Sequence, residues 1–235
     1  MQYSVKLLRK LRQPTDKTAW AKSPQVINAY YADPSNAIGF PAGILRPPVF
    51  SKGYPKYLNY GAIGTFIGHA LIHGFDNNGR QVDKDGNALK WWTEDSITGF
   101  ESQKQCIVNQ ADRYVMPSVN MTINGIQTQD ENIADNGGIN YSFKAYRKWV
   151  ESRGTEELKL IGLDYSPDQL FFISFAQTWC NVHTDQHLEI FLRDDEHSPG
   201  LYRVIGTLRN SREFSQAFNC PKTSRMNPEN KCKLW

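Results

Sequence analysis

The chain has 235 residues, 40% of them hydrophobic and 22% charged, with a formal net charge of +3. That length supports one or two domains with a sizeable core, and the ordinary apolar content excludes a disordered chain. The small charge, with no Lys/Arg cluster on an evident helix face, argues against nucleic acid as a partner, and the longest apolar run, Leu170-Phe171-Phe172-Ile173, is far too short to span a bilayer.

The start, Lys6-Leu7-Leu8-Arg9-Lys10-Leu11-Arg12, is basic and partly apolar and reads as a short helix; it has no signal-peptide core. Residues 25–31 read as a strand, Asp33-Pro34-Ser35-Asn36 as a turn and residues 37–40 as a second strand. Pro41 and Pro47-Pro48 then enforce irregular, extended chain. Ile63, Phe66, Ile67, Ala70 and Leu71 fall at helical spacing and predict one mostly buried helix over 58–75. Asn77-Asn78-Gly79 and Asp85-Gly86 mark tight turns. Thr128-x-x-Glu131 is a capping-box signature ahead of a helix running toward Val150. Ser166-Pro167-Asp168-Gln169 supplies a cap, a first-turn proline and a box partner before a helix over 170–180, and Asn210-x-x-Glu213 precedes a helix over 214–218. Helices outnumber strands and the strands gather near the start, which predicts a mainly helical α+β domain with no internal repeat and no clear linker.

The chemistry concentrates in His69-Ala70-Leu71-Ile72-His73. Two histidines four apart share one helix face and can grip a zinc ion. In the zinc-peptidase motif His-Glu-x-x-His, the residue after the first histidine is the general base; here it is Ala70, which has no proton chemistry. Taken alone, the two histidines also fit structural imidazoles bonded to backbone carbonyls. Glu131 by itself fits a capping box as well as a ligand, His197-Ser198-Pro199-Gly200 a surface turn, and Arg203 a solvated charge. Asp83-Lys84-Asp85-Gly86-Asn87 lacks the glycine a calcium loop needs at its sixth position, where Ala88 stands, and reads as a turn. Cys106, Cys180, Cys220 and Cys232 form no Cys-x-x-Cys pair; their even number fits disulfides and also free buried thiols. Asn120-Met121-Thr122 and Asn140-Tyr141-Ser142 are glycosylation sequons that lean toward a secreted setting.

Six further motifs occur in one order: Asn28-Ala29-Tyr30-Tyr31, Phe40-Pro41-Ala42-Gly43-Ile44-Leu45, Leu58-Asn59-Tyr60-Gly61, Glu131-Asn132-Ile133-Ala134-Asp135-Asn136-Gly137-Gly138, His197-Ser198-Pro199-Gly200 and the ending Cys232-Lys233-Leu234-Trp235. With these the chain, from about Leu11 to Trp235, resembles the C-terminal catalytic part of the neprilysin and endothelin-converting enzyme family of zinc endopeptidases. The resemblance implies a thermolysin-like zinc metallopeptidase catalytic domain with a short β-sheet near the N-terminus. It implies one Zn2+ held by His69, His73 and Glu131, with Asp135 orienting a ligand imidazole. It further implies that Asn28 and Ala29 pair with a peptide backbone by strand addition, that His197 steadies the oxyanion and that Arg203 bonds a substrate carbonyl. Val49, Phe66, Thr178 and Trp179 fall where the family builds its apolar specificity pocket.

The departures from the family pattern are as informative. Ala70 can neither take a proton from water nor pass one to the leaving amine, and a positioned acid/base is worth about 10²–10⁴ in rate. The expectation is a peptide-binding, zinc-loaded relative with impaired cleavage. The alternatives are an enzyme that takes its acid/base from elsewhere, with His197 the most obvious proton carrier, and an inert fragment of a larger protein. By the resemblance, Cys106 bonds Cys232, while the family partners of Cys180 and Cys220 are not in this chain; those two then remain free, find another partner such as a missing N-terminal domain or another chain, or mark the chain as a fragment. The whole chain, 1–235, is then a single peptidase domain without the family's N-terminal roof and membrane anchor. Kinship suggests an extracellular or membrane-associated setting, although no signal peptide or transmembrane segment is visible.

Overall fold

The computed structural model describes residue 5 and residues 8–9, 11–14 and 16–234. Most of the basic start, and Trp235, lie outside the described residues. Tyr30–Ala32 (β1) and Ala37–Gly39 (β2) form an antiparallel pair with Tyr31 opposite Ile38, joined by a single 3-10 turn over Asp33–Ser35 that closes on Asn36 in the left-handed region. The strand expected over 25–31 is thus short: Asn28 and Ala29 precede β1, and the Asn28 side chain accepts its neighbour's Ala29 N–H at 2.8 Å. A second small antiparallel hairpin, Val115–Met116 (β3) with Met121–Thr122 (β4), was not expected from the sequence.

The helix expected over 58–75 is two helices, Lys56–Gly61 (α1) and Ile63–His73 (α2). They break at Ala62, whose φ of −99° and ψ of −93° leave the helical region, and the freed Ile63 N–H bonds the Val49 carbonyl at 3.1 Å. Glu94–Ala111 (α3), capped by Thr93, precedes the long central helix Gln129–Arg153 (α4). Pro167–Thr178 (α5) starts with the full capping box predicted at Ser166 and Gln169. Asp185–Asp194 (α6), Gly200–Asn210 (α7) and Arg212–Ala217 (α8) complete the chain; α8 is capped by Ser211, one residue later than the sequence suggests. Among the described residues no helix is long and apolar enough to cross a membrane.

Helix α4 is the axis. Its residues Ile139, Phe143 and Tyr146 are buried against Tyr57, Leu170, Phe171, Phe172 and Phe175 in the main core. Nearer its start, Ile133 and Ala134 pack with Ile72, Phe100 and Ile107. Helices α2 and α4 approach closely because each carries a glycine at the crossing: a Cβ on Gly68 would lie 2.6 Å from the Gly138 carbonyl oxygen, and one on Gly138 would lie 2.7 Å from the His69 nitrogen. This crossing brings the start of α4 alongside the last turns of α2, where His69 and His73 sit.

Candidate metal centre and cleft

On α2 the spacing of four puts His69 and His73 on one face, and their Nε2 atoms lie 2.9 Å apart. Glu131, in the first turn of α4, meets them with Oε2 3.2 Å from His69 Nε2 and Oε1 3.4 Å from His73 Nε2. The capping box read at Thr128 and Glu131 does not form. Thr128 caps no amide; its hydroxyl donates to the Asn124 carbonyl at 3.0 Å and accepts from Asn132, which leaves the Glu131 carboxylate free to turn inward.

Each imidazole is held from behind. His69 Nδ1 faces Asp135 Oδ1 at 2.9 Å, and Asp135 lies one turn beyond Glu131 on the same face of α4. His73 Nδ1 faces Asp76 Oδ2 at 2.7 Å, while Asp76 Oδ1 accepts the backbone N–H groups of Asn78 and Gly79 at 2.9 and 2.7 Å. An Nδ1–H donated to each aspartate is the tautomer that, in the neutral ring, turns an Nε2 lone pair toward Glu131. At 2.9 Å the two Nε2 atoms are at hydrogen-bond distance, a place where a proton or a metal cation offsets the repulsion of two facing lone pairs. The buried Glu131 Oε2 has no hydrogen-bond partner, although two imidazole nitrogens lie within 3.2 Å. Tetrahedral zinc with bonds of about 2.0–2.1 Å places its donors about 3.3 Å apart. The observed separations of 2.9, 3.2 and 3.4 Å bracket that spacing, so the donor set fits zinc.

His197, on the loop before α7, reaches the same carboxylate with Nε2 3.1 Å from Glu131 Oε2, and Asp195 Oδ1 accepts from its Nδ1 at 2.7 Å. The loop is fastened to α4 by a bond from the Ser198 hydroxyl to Asn132 Oδ1 at 2.8 Å, with Ser198 and Pro199 buried. Read in isolation as a surface turn, this segment instead forms a buried entry to α7. Arg203, one turn into α7 and 6% exposed, donates Nε–H to Asp135 Oδ2 at 2.7 Å and Nη2–H to Asp135 Oδ1 at 2.6 Å. Its guanidinium also stacks 3.8 Å over the Trp179 ring. Arg203 is therefore a buried brace for Asp135 rather than a solvated charge, and it also borders the cleft.

The electrostatics follow from these contacts. Burial works to raise the Glu131 and Asp135 carboxyls. For Glu131 it is outweighed by His197, His69 and His73, and for Asp135 by Arg203 and His69, so both carboxyls are held below the usual range. Burial works to lower the imidazoles of His73 and His197, yet the Asp76 hydrogen bond and the Glu131 and Asp76 charges for the first, and the adjacent Glu131 carboxylate and Asp195 for the second, raise both.

The centre opens into a cleft of about 820 Å³. Every substrate-handling position expected from the sequence lines it: Asn28, Ala29, Val49, Phe66, Thr178, Trp179, His197 and Arg203. The Phe66 and Trp179 rings meet at a tilt, with centroids 5.3 Å apart. Ala70 also lines the cleft, beside His69, and offers only a methyl group there. Sequence reasoning missed Asp76, Asp195 and Glu196. The first two were legible as carboxylates within one turn of a histidine, at three residues after His73 and two before His197; Glu196 carried no signal until the fold set it beside Glu131.

Cys106 on α3 bonds Cys232 with a Cα–Cα distance of 5.5 Å, as the resemblance implied, while Cys180 and Cys220 are free thiols.

The profile of peptidase family M13 matches residues 28–234. The chain is 48% identical over 228 residues to an endothelin-converting enzyme homolog of Locusta migratoria, covering 97% of this chain and 31% of that protein. It is also 48% identical over 231 residues to neprilysin of Homo sapiens, covering 98% of this chain and 31% of the relative. Among solved structures, a zinc metalloprotease of Mycobacterium tuberculosis in complex with an inhibitor superimposes with a TM-score of 0.91 at 33% identity, over 99% of this chain and 36% of the other. PepO of Lactobacillus rhamnosis superimposes with a TM-score of 0.80 at 31% identity, over 92% of this chain and 32% of the other. The chain spans about a third of the length of these relatives, and its fold is the thermolysin-like fold of their zinc metalloprotease domains.

Proposed function

Because the chain belongs to peptidase family M13, whose members are zinc metallopeptidases, we propose that it binds one zinc ion at His69, His73 and Glu131, holds peptides in the adjoining cleft and cleaves them poorly. The observation that carries this reading is a complete ligand set beside the methyl group of Ala70. Bound zinc supplies a Lewis acid that polarises a carbonyl and acidifies water.

The chain's own residues do the rest. Asp135 and Asp76 fix the tautomer and direction of the two ligand imidazoles. Asn28 and Ala29, at the lip just before β1, offer main-chain and amide groups to an extended peptide. Phe66, Trp179, Val49 and Thr178 exclude water around an apolar side chain of that peptide. In this reading His197, whose Nε2 borders the metal centre, steadies the developing oxyanion, and Arg203, at the edge of the cleft, bonds a substrate carbonyl. What is missing is a carboxylate at position 70 to carry a proton from water to the departing amine. Losing such a group costs about 10²–10⁴ in rate.

The Cys106–Cys232 bond supports an oxidising, extracellular or membrane-associated setting. The experiment pairs metal analysis with a peptide-cleavage screen on the chain and on Ala70→Glu. The expected result is one tightly held zinc, peptide retention with little product, and a gain in kcat of at least about 10²-fold in the variant. A folded chain that binds no zinc, or an Ala70→Glu variant no faster than the parent, defeats the proposal.

A further inference from the structure

The chain's two glycosylation sequons fall in opposite surroundings. Asn120-Met121-Thr122 runs from the turn of the second hairpin into β4, whereas Asn140-Tyr141-Ser142 lies in the middle of α4. We propose that Asn120 is a site of N-linked glycosylation and that Asn140 stays bare. The inference rests on the oxidising, extracellular or membrane-associated setting and is independent of the zinc reading.

Three observations carry it. First, the hairpin presents both groups that an acceptor sequon needs, the amide and the hydroxyl. Strand pairing sets Met116 opposite Met121 and Val115 opposite Thr122. The two methionines pack inward, toward Leu188, Leu192 and Tyr202, so the alternation of the strand turns Thr122 outward. Asn120 occupies the turn with a φ of 49°, a left-handed conformation that asparagine tolerates. Asn120 and Thr122 are both exposed, and among the described residues neither side chain has a hydrogen-bond partner.

Second, α4 hides what Asn140 would need. The Ser142 hydroxyl donates to the Tyr60 carbonyl at 2.6 Å, and Ser142 is 4% exposed. Helix α2 packs so closely there that a Cβ on Gly64 would collide with Ser142 Oγ. Asn140 itself is half-buried on a continuous helix, which cannot offer the segment in extended form. A surface loop is the context in which the motif is used, and of the two sequons the first has it. Third, the Cys106–Cys232 bond fits the oxidising compartments through which glycosylated chains pass, and α3, which carries Cys106, leads directly into this hairpin.

The chemistry is a substitution at one sugar carbon. Asn120 Nδ2 attacks C1 of an oligosaccharide carried on a lipid diphosphate. The C1–Nδ2 bond forms and the C1–O bond to the diphosphate breaks. Nδ2 gives one proton to a base of the transferase and on to solvent, and the lipid diphosphate leaves; nothing is oxidised or reduced. Among the described residues that line the cleft, none belongs to the hairpin, so substitutions there do not touch the metal centre.

The test uses the full 235-residue chain, expressed in mammalian cells behind a cleavable secretion signal. Soluble protein from medium and cells is compared before and after peptide N-glycosidase F, and the released site is marked by deamidation in heavy-oxygen water and peptide mapping. The expected result is one glycan per chain, mapped to Asn120. Asn120→Gln and Thr122→Ala each abolish the mobility shift, and Asn140→Gln leaves it unchanged. Asn120 and Thr122 are exposed, so their variants fold; equal zinc content in parent and variants checks this. An unmodified Asn120, a glycan on Asn140, or a shift that survives Asn120→Gln overturns the proposal. The added signal supplies the compartment, so any of these results faults the site itself and leaves the metal reading intact.

Discussion

Asp76 shows how much of a metal centre resides in side chains that do not touch the metal. It fixes His73 through a 2.7 Å bond and is itself fixed by two backbone amides. Replacing it by Asn keeps the shape but removes the charge that sets the ring's tautomer. Zinc affinity is expected to fall about 10–100-fold, measured by competition with a chromophoric chelator. A pH effect follows from the same contact. Burial works to lower the His73 imidazole, but Asp76 and Glu131 raise it. In the metal-free chain the protonated ring therefore stabilises the fold at acid pH, and that contribution is lost as pH rises through the raised value. Zinc needs the neutral ring, so protons compete with it from a higher pH than for a free imidazole of about 6.5. On acidification, affinity is expected to begin falling above about pH 6.5, and Asp76→Asn is expected to move that onset downward. Titrations at stepped pH read both; an onset that ignores Asp76 contradicts the account.

At the scale of elements, the site exists because α2 and α4 touch backbone to backbone. Gly138→Ala places a methyl 2.7 Å from the His69 nitrogen and 2.9 Å from the Thr65 carbonyl oxygen, and neither is a side chain that can turn away. The helices must separate, which moves Glu131 from the imidazoles. The expected outcome is a loss of about 1–3 kcal/mol of stability, as for other overpacked contacts, with zinc affinity falling in parallel. A variant that melts lower but binds zinc normally argues against the coupling. This crossing also shows what the sequence conveys and what it withholds. Gly138 stands in the Glu131–Gly138 motif, which also shows Glu131 and Asp135, and His69 and His73 were readable from their own spacing, but Gly68 stands in none of the motifs that carry the resemblance. The break at Ala62 was not, because the apolar spacing runs on unbroken across it. Nor was the failure of the Thr128 capping box: local pattern offers Glu131 to its own amide, and only the partner helix makes the inward rotamer better. Helices α3, α6 and α7 went unread for a similar reason. Helix α3 is polar along most of its length, and α7 opens on Pro199 and Gly200, residues that locally signal a turn.

For the whole molecule, the Cys106–Cys232 bond spans 126 residues of chain, so its loop contains the start of α4, the His197 loop and Arg203. Cys232 is buried with Ile72, Ile133 and Ala134, directly beneath the turns that carry His73 and Glu131. The tail leading to it is fastened independently, since the Cys232 N–H bonds Asn210 Oδ1 at 3.1 Å and the Lys231 ammonium bonds the Arg209 carbonyl at 2.6 Å. Cutting the link therefore acts mainly on the unfolded chain, which regains the freedom that a long loop removes. Cys232→Ser is expected to lower the stability of the zinc-free chain by about 3–5 kcal/mol. At about 2–4 °C per kcal/mol for a domain of this size, that is a drop in Tm of about 10 °C. Zinc affinity below the melt is expected to change much less, because the tail's hydrogen bonds and the packing of Ile72 against Ile133 survive. Thermal melts of oxidised, reduced and Cys232→Ser protein, each with and without zinc, separate the two effects. Equal melts for all three forms refute the stabilising role, and a zinc affinity that collapses with the disulfide shows that the link shapes the metal centre as well as the unfolded state.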